Sequence, residues 1–147
     1  MPLFDQEKMV KLVSELRTSI SRLNNLAGIP LKKFLDDPDK IGSSKYHFIV
    51  AIESCIDMCN HLIARNGYRL PDDYSDTFKV MAEVNAIDSI FAEDLKNMAK
   101  FRNRLVHLYW EVDDKQIYDL LQSRISDFKK FLNSIARFLE WPIIEEK

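Results

Sequence analysis

The part of this sequence best equipped for chemistry runs from Arg102 to Tyr109 and reads RNRLVHLY. Its arginine is followed after four residues by His107, and the tyrosine comes two residues later, which gives the pattern R-x4-H-x-Y. A guanidinium binds phosphate strongly, and an imidazole exchanges protons near neutral pH. The motif therefore predicts a site where a proton moves beside an anion.

The charge around this motif is locally positive. Residues 95–109 contain no acidic residue but hold Lys96, Lys100, Arg102 and Arg104, although the whole chain has a formal net charge of −2. Such a strip favours a polyanion, with Lys100 and Arg104 as supporting contacts. The alternative is that these cations only complement the dipole at the carboxyl end of a helix.

Arg102 takes a position where the helical period calls for an apolar side chain. The other members of this predicted stripe are Phe91, Leu95, Met98, Leu105 and Tyr109. A charge on such a stripe needs a partner. Glu53 and Asp57, one turn apart on another predicted helix, could orient Arg102, or they could form a solvated surface pair.

His107 points away from Arg102 on a straight helix, because five residues turn the side-chain direction by about 140°. Two arrangements remain open. Either the helix ends or bends near Val106, or a second copy of the chain brings the two groups together across a two-fold axis. Asn103 lies four residues before His107 on the same face, so it could bind substrate or fix the imidazole tautomer.

The apolar spacing predicts about five helices and no strand. We expect the first from Asp5 to Gly28, a helical turn over residues 31–35, a second helix from about Ser44 to Asn66, capped by Ser43 or Ser44, a third from about Tyr74 to Val84, a fourth from near Asp88, and a long fifth from a capping box at Asp113 and Gln116 to Trp141. These elements predict an all-α bundle of antiparallel helices, with the first and fifth able to form a two-fold dimer.

Composition suits one domain spanning residues 1–147, with 46% hydrophobic residues and only 3 glycines. Cys55 and Cys59 lack partners at metal-binding spacing, so we expect reduced, buried thiols. The sequence shows neither a signal peptide nor a stretch of the ~18 apolar residues that a membrane span needs, which predicts a cytoplasmic protein.

The motif resembles that of HEPN-domain proteins of the HepT type, the toxin half of HepT/MntA toxin–antitoxin pairs. Similarity covers nearly the whole chain. Besides the motif, it includes Ala51–Asp57 on the second helix, the turn Arg69–Tyr74, and Glu111–Val112–Asp113.

This resemblance implies a homodimeric HEPN-like bundle whose two motifs line a groove, and a metal-independent endoribonuclease of a type VII-like system. It also implies an MntA-like nucleotidyltransferase antitoxin that AMPylates Tyr109. RNA carries its own nucleophile, so we expect no cofactor and no metal. His107 would act as general base or acid and Arg102 would stabilise the phosphorane, leaving a 2′,3′-cyclic phosphate, while Asn103 and Tyr109 contact the substrate.

Two other functions remain open. The chain could be a noncatalytic helical module that binds a nucleotidyltransferase or a nucleotide, with the motif as its recognition surface. It could also be a purely structural dimerising bundle. A histidine in the motif and the positive strip favour the nuclease, but such features also bind anions without cleaving them.

Overall fold

The computed structural model describes residues 1–146, which form seven α-helices and two short 3-10 turns. No strand occurs in this part of the chain, so the predicted all-α class is confirmed. The helices are α1 (Gln6–Ala27), α2 (Leu31–Leu35), α3 (Pro38–Asn66), α4 (Tyr74–Glu83), α5 (Ser89–His107), α6 (Asp114–Ser123) and α7 (Ile125–Phe138), and the 3-10 turns are Tyr109–Glu111 and Pro142–Ile144.

Helix α1 begins and ends where the sequence predicts. The Asp5 carboxylate accepts a 3.2 Å hydrogen bond from the Lys8 amide, which satisfies one of the unpaired donors of the first turn. Gly28 follows the last residue of the helix. The apolar stripe of α1 is buried, and α3 is its main packing partner.

Helix α3 begins six residues earlier than the predicted start at Ser44. The Asp37 carboxylate accepts hydrogen bonds from the Asp39 and Lys40 amides, and Pro38 supplies the fixed backbone angle that suits the first helical position. The predicted cap at Ser43 or Ser44 is therefore wrong. Instead, the Ser44 hydroxyl donates to the Lys40 carbonyl inside the helix.

The predicted long fifth helix is wrong, because the chain breaks at Arg124 into α6 and α7. Two bonds to the end of α1 and the following loop hold α6: Tyr118 Oη donates to the Ile29 carbonyl and Gln122 Nε2 to the Ala27 carbonyl, each at 2.8 Å. These contacts fix the direction of α6. The apolar period continues through the break, so the pattern alone does not reveal it.

Most helices contribute to one apolar cluster, and six phenylalanines from α2, α3, α4, α5 and α7 are almost fully buried in it: Phe34, Phe48, Phe78, Phe91, Phe128 and Phe131. Helix α3 lies in the middle of this packing. By length and composition alone α3 is apolar enough to cross a membrane, but 61% of its apolar window is buried inside the structure, as in the core helix of a folded domain. The core accounts for the apolar character of α3.

The turn between α3 and α4 is held by a single arginine. Arg69 binds Asp76 through two hydrogen bonds of 2.7 and 3.1 Å and Glu83 through two of 3.0 and 3.1 Å. The bonds from Arg69, helped by one from the Asp72 amide, lower the pKa of Asp76 to about 2. The network fixes α4, whose first residue, Tyr74, contacts Arg102.

Candidate functional site

Helix α5 carries most of the motif and is anchored at both ends. Asp88 caps it by accepting a hydrogen bond from the Ile90 amide, and the Leu108 amide donates to the Arg104 carbonyl at its carboxyl end. Its inner face is buried through Phe91, Ala92, Leu95, Met98, Ala99 and Leu105. The polar side chains of the motif therefore project from a rigid element.

The Arg102 guanidinium is bound to Glu53 on α3. Nη2 and Nε donate to Glu53 Oε1 at 2.6 and 3.0 Å, and Nη1 donates to the side-chain oxygen of the adjacent Asn103 at 3.0 Å. The Tyr74 ring lies under the guanidinium, with its centroid 4.9 Å from Cζ. The Arg102 side chain is only 14% exposed, so this charge has the carboxylate partner that its position on the stripe requires.

Arg102 retains capacity for an anion. A guanidinium has five N–H donors, of which three are used here. The two remaining donors suit a phosphate oxygen, and the ion pair with Glu53 limits the directions in which they point.

Of the two predicted orienting carboxylates, the structure brings only Glu53 to Arg102. Asp57 makes no hydrogen bond or ion pair within residues 1–146. Burial raises the pKa of Asp57, and the charges of Glu53 and Glu15 raise it further, while those of Lys8 and Arg102 oppose the shift. Asp57 thus feels the field of this cluster without touching the guanidinium.

His107 is the last residue of α5, and its side chain is exposed without a hydrogen-bond partner in the described chain. Helix α5 continues through Val106, so an end or bend there does not turn His107 toward Arg102. Asn103 bonds Arg102 instead of the imidazole. Within one chain, the two groups point in directions about 140° apart.

Tyr109 lies beyond α5, in the 3-10 turn, and not on the helical stripe to which the spacing assigned it. The Lys45 ammonium on α3 lies 4.1 Å from the Tyr109 ring centroid and donates to the Tyr109 carbonyl at 3.4 Å. The same ammonium is 3.7 Å from Asp114 Oδ1. A Cβ atom added to Gly42 would be 3.7 Å from the Tyr109 hydroxyl.

Lys45 and Gly42 are site residues that sequence reasoning missed. Lys45 follows Ile41 by four residues and precedes Phe48 by three, so it lies on the buried stripe of α3. A charged residue at an apolar position of a helix is the signal by which the sequence singles out Arg102, and Lys45 carries the same signal. No comparable pattern marks the glycine.

Some cations of the positive strip form ion pairs, and others, called open cations here, are exposed and unpaired within the described residues. Lys96 pairs with Glu93 at 3.2 Å, whereas Lys100 and Arg104 are exposed and have no ion pair within the described residues. Lys100, Arg104 and His107 are spaced at i, i+4 and i+7, so they share one exposed face of α5. This face presents positive charge beside the imidazole.

The remaining candidate residues are structural. Cys55 and Cys59 are free, buried thiols, as predicted, and burial raises the pKa of both. His61 is buried, and its Nε2 atom accepts a 2.9 Å hydrogen bond from the Asp5 amide. No group of three or more metal-ligating side chains occurs among residues 1–146.

Comparison with known proteins places these features in a family. Residues 16–135 match the family described as "Ribonuclease HepT-like". The chain is 31% identical over 83 residues to an mRNA nuclease HepT from Shewanella oneidensis, a match that covers 56% of this chain and 62% of that relative.

Two solved structures share the fold. One is a tri-AMPylated HEPN toxin of Shewanella oneidensis in complex with an MNT antitoxin, with a TM-score of 0.81 and 25% identity, covering 88% of this chain and 96% of that chain. The other is YutE, a cytosolic Bacillus subtilis protein of unknown function, with a TM-score of 0.81 and 18% identity, covering 100% of this chain and 99% of that one. Because the family match extends over residues 16–135 of the 147, the chain belongs to the ribonuclease HepT-like family.

Proposed function

We propose that this protein is a metal-independent endoribonuclease toxin, built as one HEPN-like domain over residues 1–147 and acting in the cytoplasm. One observation carries the proposal. The Arg102 guanidinium, held by Glu53, keeps two unused N–H donors, and the same helix presents Lys100, Arg104 and His107 on one exposed face. The similarity to an mRNA nuclease HepT supports RNA as the substrate.

The chemistry needs only groups that the chain and the RNA supply. The 2′-oxygen attacks the adjacent phosphorus while His107 accepts its proton, and the resulting imidazolium returns this proton to the 5′-oxygen, which leaves as a hydroxyl. The new 2′-O–P bond and the broken P–O5′ bond leave a 2′,3′-cyclic phosphate. Arg102 stabilises the added charge of the phosphorane through its remaining donors.

The active unit is a homodimer. Since Arg102 and His107 of one chain point about 140° apart, a phosphate would be reached by Arg102 of one protomer and His107 of its partner. Arg102→Ala and His107→Ala proteins would each be inactive. When the two variants are mixed in equal amounts and exchange subunits, about half of the dimers contain one chain of each. Such a dimer has one intact site of two, formed by Arg102 of one chain and His107 of the other. We therefore expect about a quarter of wild-type activity. No recovery on mixing would overturn the shared site.

An MntA-like nucleotidyltransferase would act as the antitoxin and modify Tyr109. The Tyr109 oxygen would attack the α-phosphorus of ATP, lose its proton and release pyrophosphate. The attached nucleotidyl group would add bulk and negative charge next to the motif, where it would compete with RNA phosphate. Two findings support this proposal: the hydroxyl-bearing side chain is exposed, and a solved neighbour is a tri-AMPylated toxin bound to its antitoxin.

The deciding experiment is cleavage of total cellular RNA by purified protein in EDTA. Intact mass first establishes that Tyr109 carries no nucleotidyl group. We expect cleavage by the wild type, its loss in His107→Ala, and a large loss in Arg102→Lys, which keeps the charge but not the forked donor geometry. Retained cleavage in His107→Ala would remove the histidine from the chemistry.

A noncatalytic binding module is the second candidate function. It draws support from the apolar side chains around Tyr109, where Val106 and Leu108 are exposed and Trp110 is 78% exposed. Such a patch suits contact with another protein. If unmodified wild-type protein leaves RNA intact but binds the nucleotidyltransferase, this function replaces the nuclease.

A further inference from the structure

A cleft of about 270 Å³ lies between α5 and α6 above a floor from α3. It is distinct from the Arg102–Glu53 contact, because it lies on the side of α5 that carries Phe101 and Arg104. Its lining residues are Phe48, Asp94, Asn97, Met98, Lys100, Phe101, Arg104, Gln116, Leu120 and Arg124.

The cleft has an aromatic wall and two uncommitted amides. Phe101 is partly buried and meets the buried Phe48 ring edge to face, with centroids 5.9 Å apart, so its ring is held in place. The side chains of Asn97 and Gln116, on opposite helices, make no hydrogen bond within residues 1–146. A flat ring with polar edges would find stacking surface and hydrogen-bond donors and acceptors here.

The rim of the cleft is positive. Lys100 and Arg104 have no ion pair in the described chain, and Arg124 lies 3.5 Å from Asp127. Among residues 1–146, Asp94 is the only one that brings a carboxylate to the lining of the cleft. Since Arg104 precedes His107 by one helical turn, about 5–6 Å separates their Cβ atoms. An anion bound at the rim would therefore be close to the imidazole.

We propose that this cleft is a nucleobase subsite for single-stranded RNA, which rests on the proposed nuclease function. One base next to the cut bond enters between α5 and α6, stacks on Phe101 and is read by Asn97 and Gln116, while its phosphate lies on Lys100 and Arg104. The volume is just below the ~300–1,000 Å³ of pockets for drug-sized ligands, which suits one ring system. Reading an unstacked base by its edge is how proteins select RNA sequence.

The test uses an Asn97→Ala/Gln116→Ala double variant of the full chain. Its matched control is Gln6→Ala/Asn24→Ala, which removes two exposed amides on α1, and thermal melts verify that both proteins fold. Each protein cuts a random-sequence pool of single-stranded RNA, and sequencing of the product ends gives the base preference at the cut. We expect the cleft variant to lose that preference and to raise KM about tenfold, with kcat nearly unchanged. The control variant keeps both.

Binding provides a readout independent of cleavage. Hexanucleotides carrying 2′-O-methyl groups lack the nucleophile and therefore cannot be cleaved. Four of them, made of A, of C, of U or of mixed G and U, are titrated in turn into wild-type protein. NMR follows the side-chain amide signals of Asn97 and Gln116. Shifts with at least one base composition support the subsite even if no RNA is cut. If wild type cleaves RNA but the cleft variant keeps its preference and KM, the subsite is wrong and the nuclease stands. Absence of any amide shift also overturns the subsite.

Discussion

The Lys45 ammonium lies 4.1 Å from the centre of the Tyr109 ring and also donates to the Tyr109 backbone carbonyl. Lys45 is 5% exposed, whereas Tyr109 is 43% exposed. A buried lysine is costly unless its charge is met, and here a ring, a carbonyl and Asp114 meet it. The lysine therefore fixes the tyrosine at a point where α5 has already ended.

Lys45→Met tests this anchoring. Methionine keeps the apolar volume of the stem and removes the charge, so we expect Tyr109 to lose its fixed position and the nucleotidyltransferase with ATP to modify it about tenfold more slowly. Intact-mass spectrometry over time gives the rate. Lys40→Met, an exposed change on the same helix, is the control. Equal rates for both variants would show that the cation does not position the ring.

Gly42→Ala is expected to stabilise the protein by about 0.5–1 kcal/mol, because glycine within a helix is less favourable than alanine. Its new Cβ would meet the Tyr109 hydroxyl at 3.7 Å, an ordinary contact. Gly67→Ala is the opposite control, since Gly67 has φ of 65° at the end of α3 and alanine there is strained. Urea unfolding measures both, and a loss of stability in Gly42→Ala would contradict this account of the site.

Glu53→Ala is expected to reduce RNA cleavage by about 10–100-fold by leaving the Arg102 guanidinium without its orienting carboxylate. The pair is partly exposed on the Glu53 side, at 39%, so we expect only about 1 kcal/mol of lost stability. Asp57→Asn is the matched control, one turn away and without a bond to Arg102. Initial rates on one RNA oligonucleotide, together with thermal melts, separate orientation from folding.

Local signals in the sequence predicted the ends of most helices. Asp5, Asp88 and Asp113 each accept an amide hydrogen bond at the start of a helix, as capping residues do. The capping box predicted at Asp113 is wrong in its second half, because the Gln116 side chain makes no hydrogen bond within residues 1–146. The pattern does not predict the start of α3, because residues 36–42 contain proline and glycine, which are typical of helix breaks, whereas Pro38 occupies the first helical position. The relevant signal was Asp37 immediately before that proline.

Contacts between distant segments were harder to predict. Because Arg102 lies on an apolar stripe, the sequence predicts an acidic partner and offers two candidates, Glu53 and Asp57. Only the packing of α3 against α5 selects Glu53. Likewise, no spacing signal indicates the bonds from Tyr118 and Gln122 of α6 to the Ile29 and Ala27 carbonyls. Spacing along one helix carries no information about such partners.

We expect the free energy of unfolding to decrease as the pH is lowered, because His61 becomes protonated. His61 Nε2 accepts the Asp5 amide hydrogen, which requires a neutral imidazole. Burial lowers the pKa of His61, the charges of Lys8 and Arg65 lower it further, and Asp5 opposes them. The unfolded chain therefore binds this proton more readily than the folded protein. The stabilising contribution is complete above the unfolded pKa of about 6.5 and is lost as pH falls through the lower folded pKa.

His61→Gln isolates this contribution, because glutamine offers a side-chain acceptor that does not titrate in this range. Urea unfolding of both proteins from pH 8 to pH 5 gives the difference in their free energies of unfolding. Wild type is expected to lose about 1 kcal/mol relative to the variant as pH falls, the usual net value of one hydrogen bond. Asn66→Ala removes two other bonds to the amino-terminal segment, at Leu3, without removing a titrating group, so its difference from wild type stays constant with pH. Parallel curves for wild type and His61→Gln would instead show that the His61–Asp5 hydrogen bond contributes nothing to the pH dependence of stability.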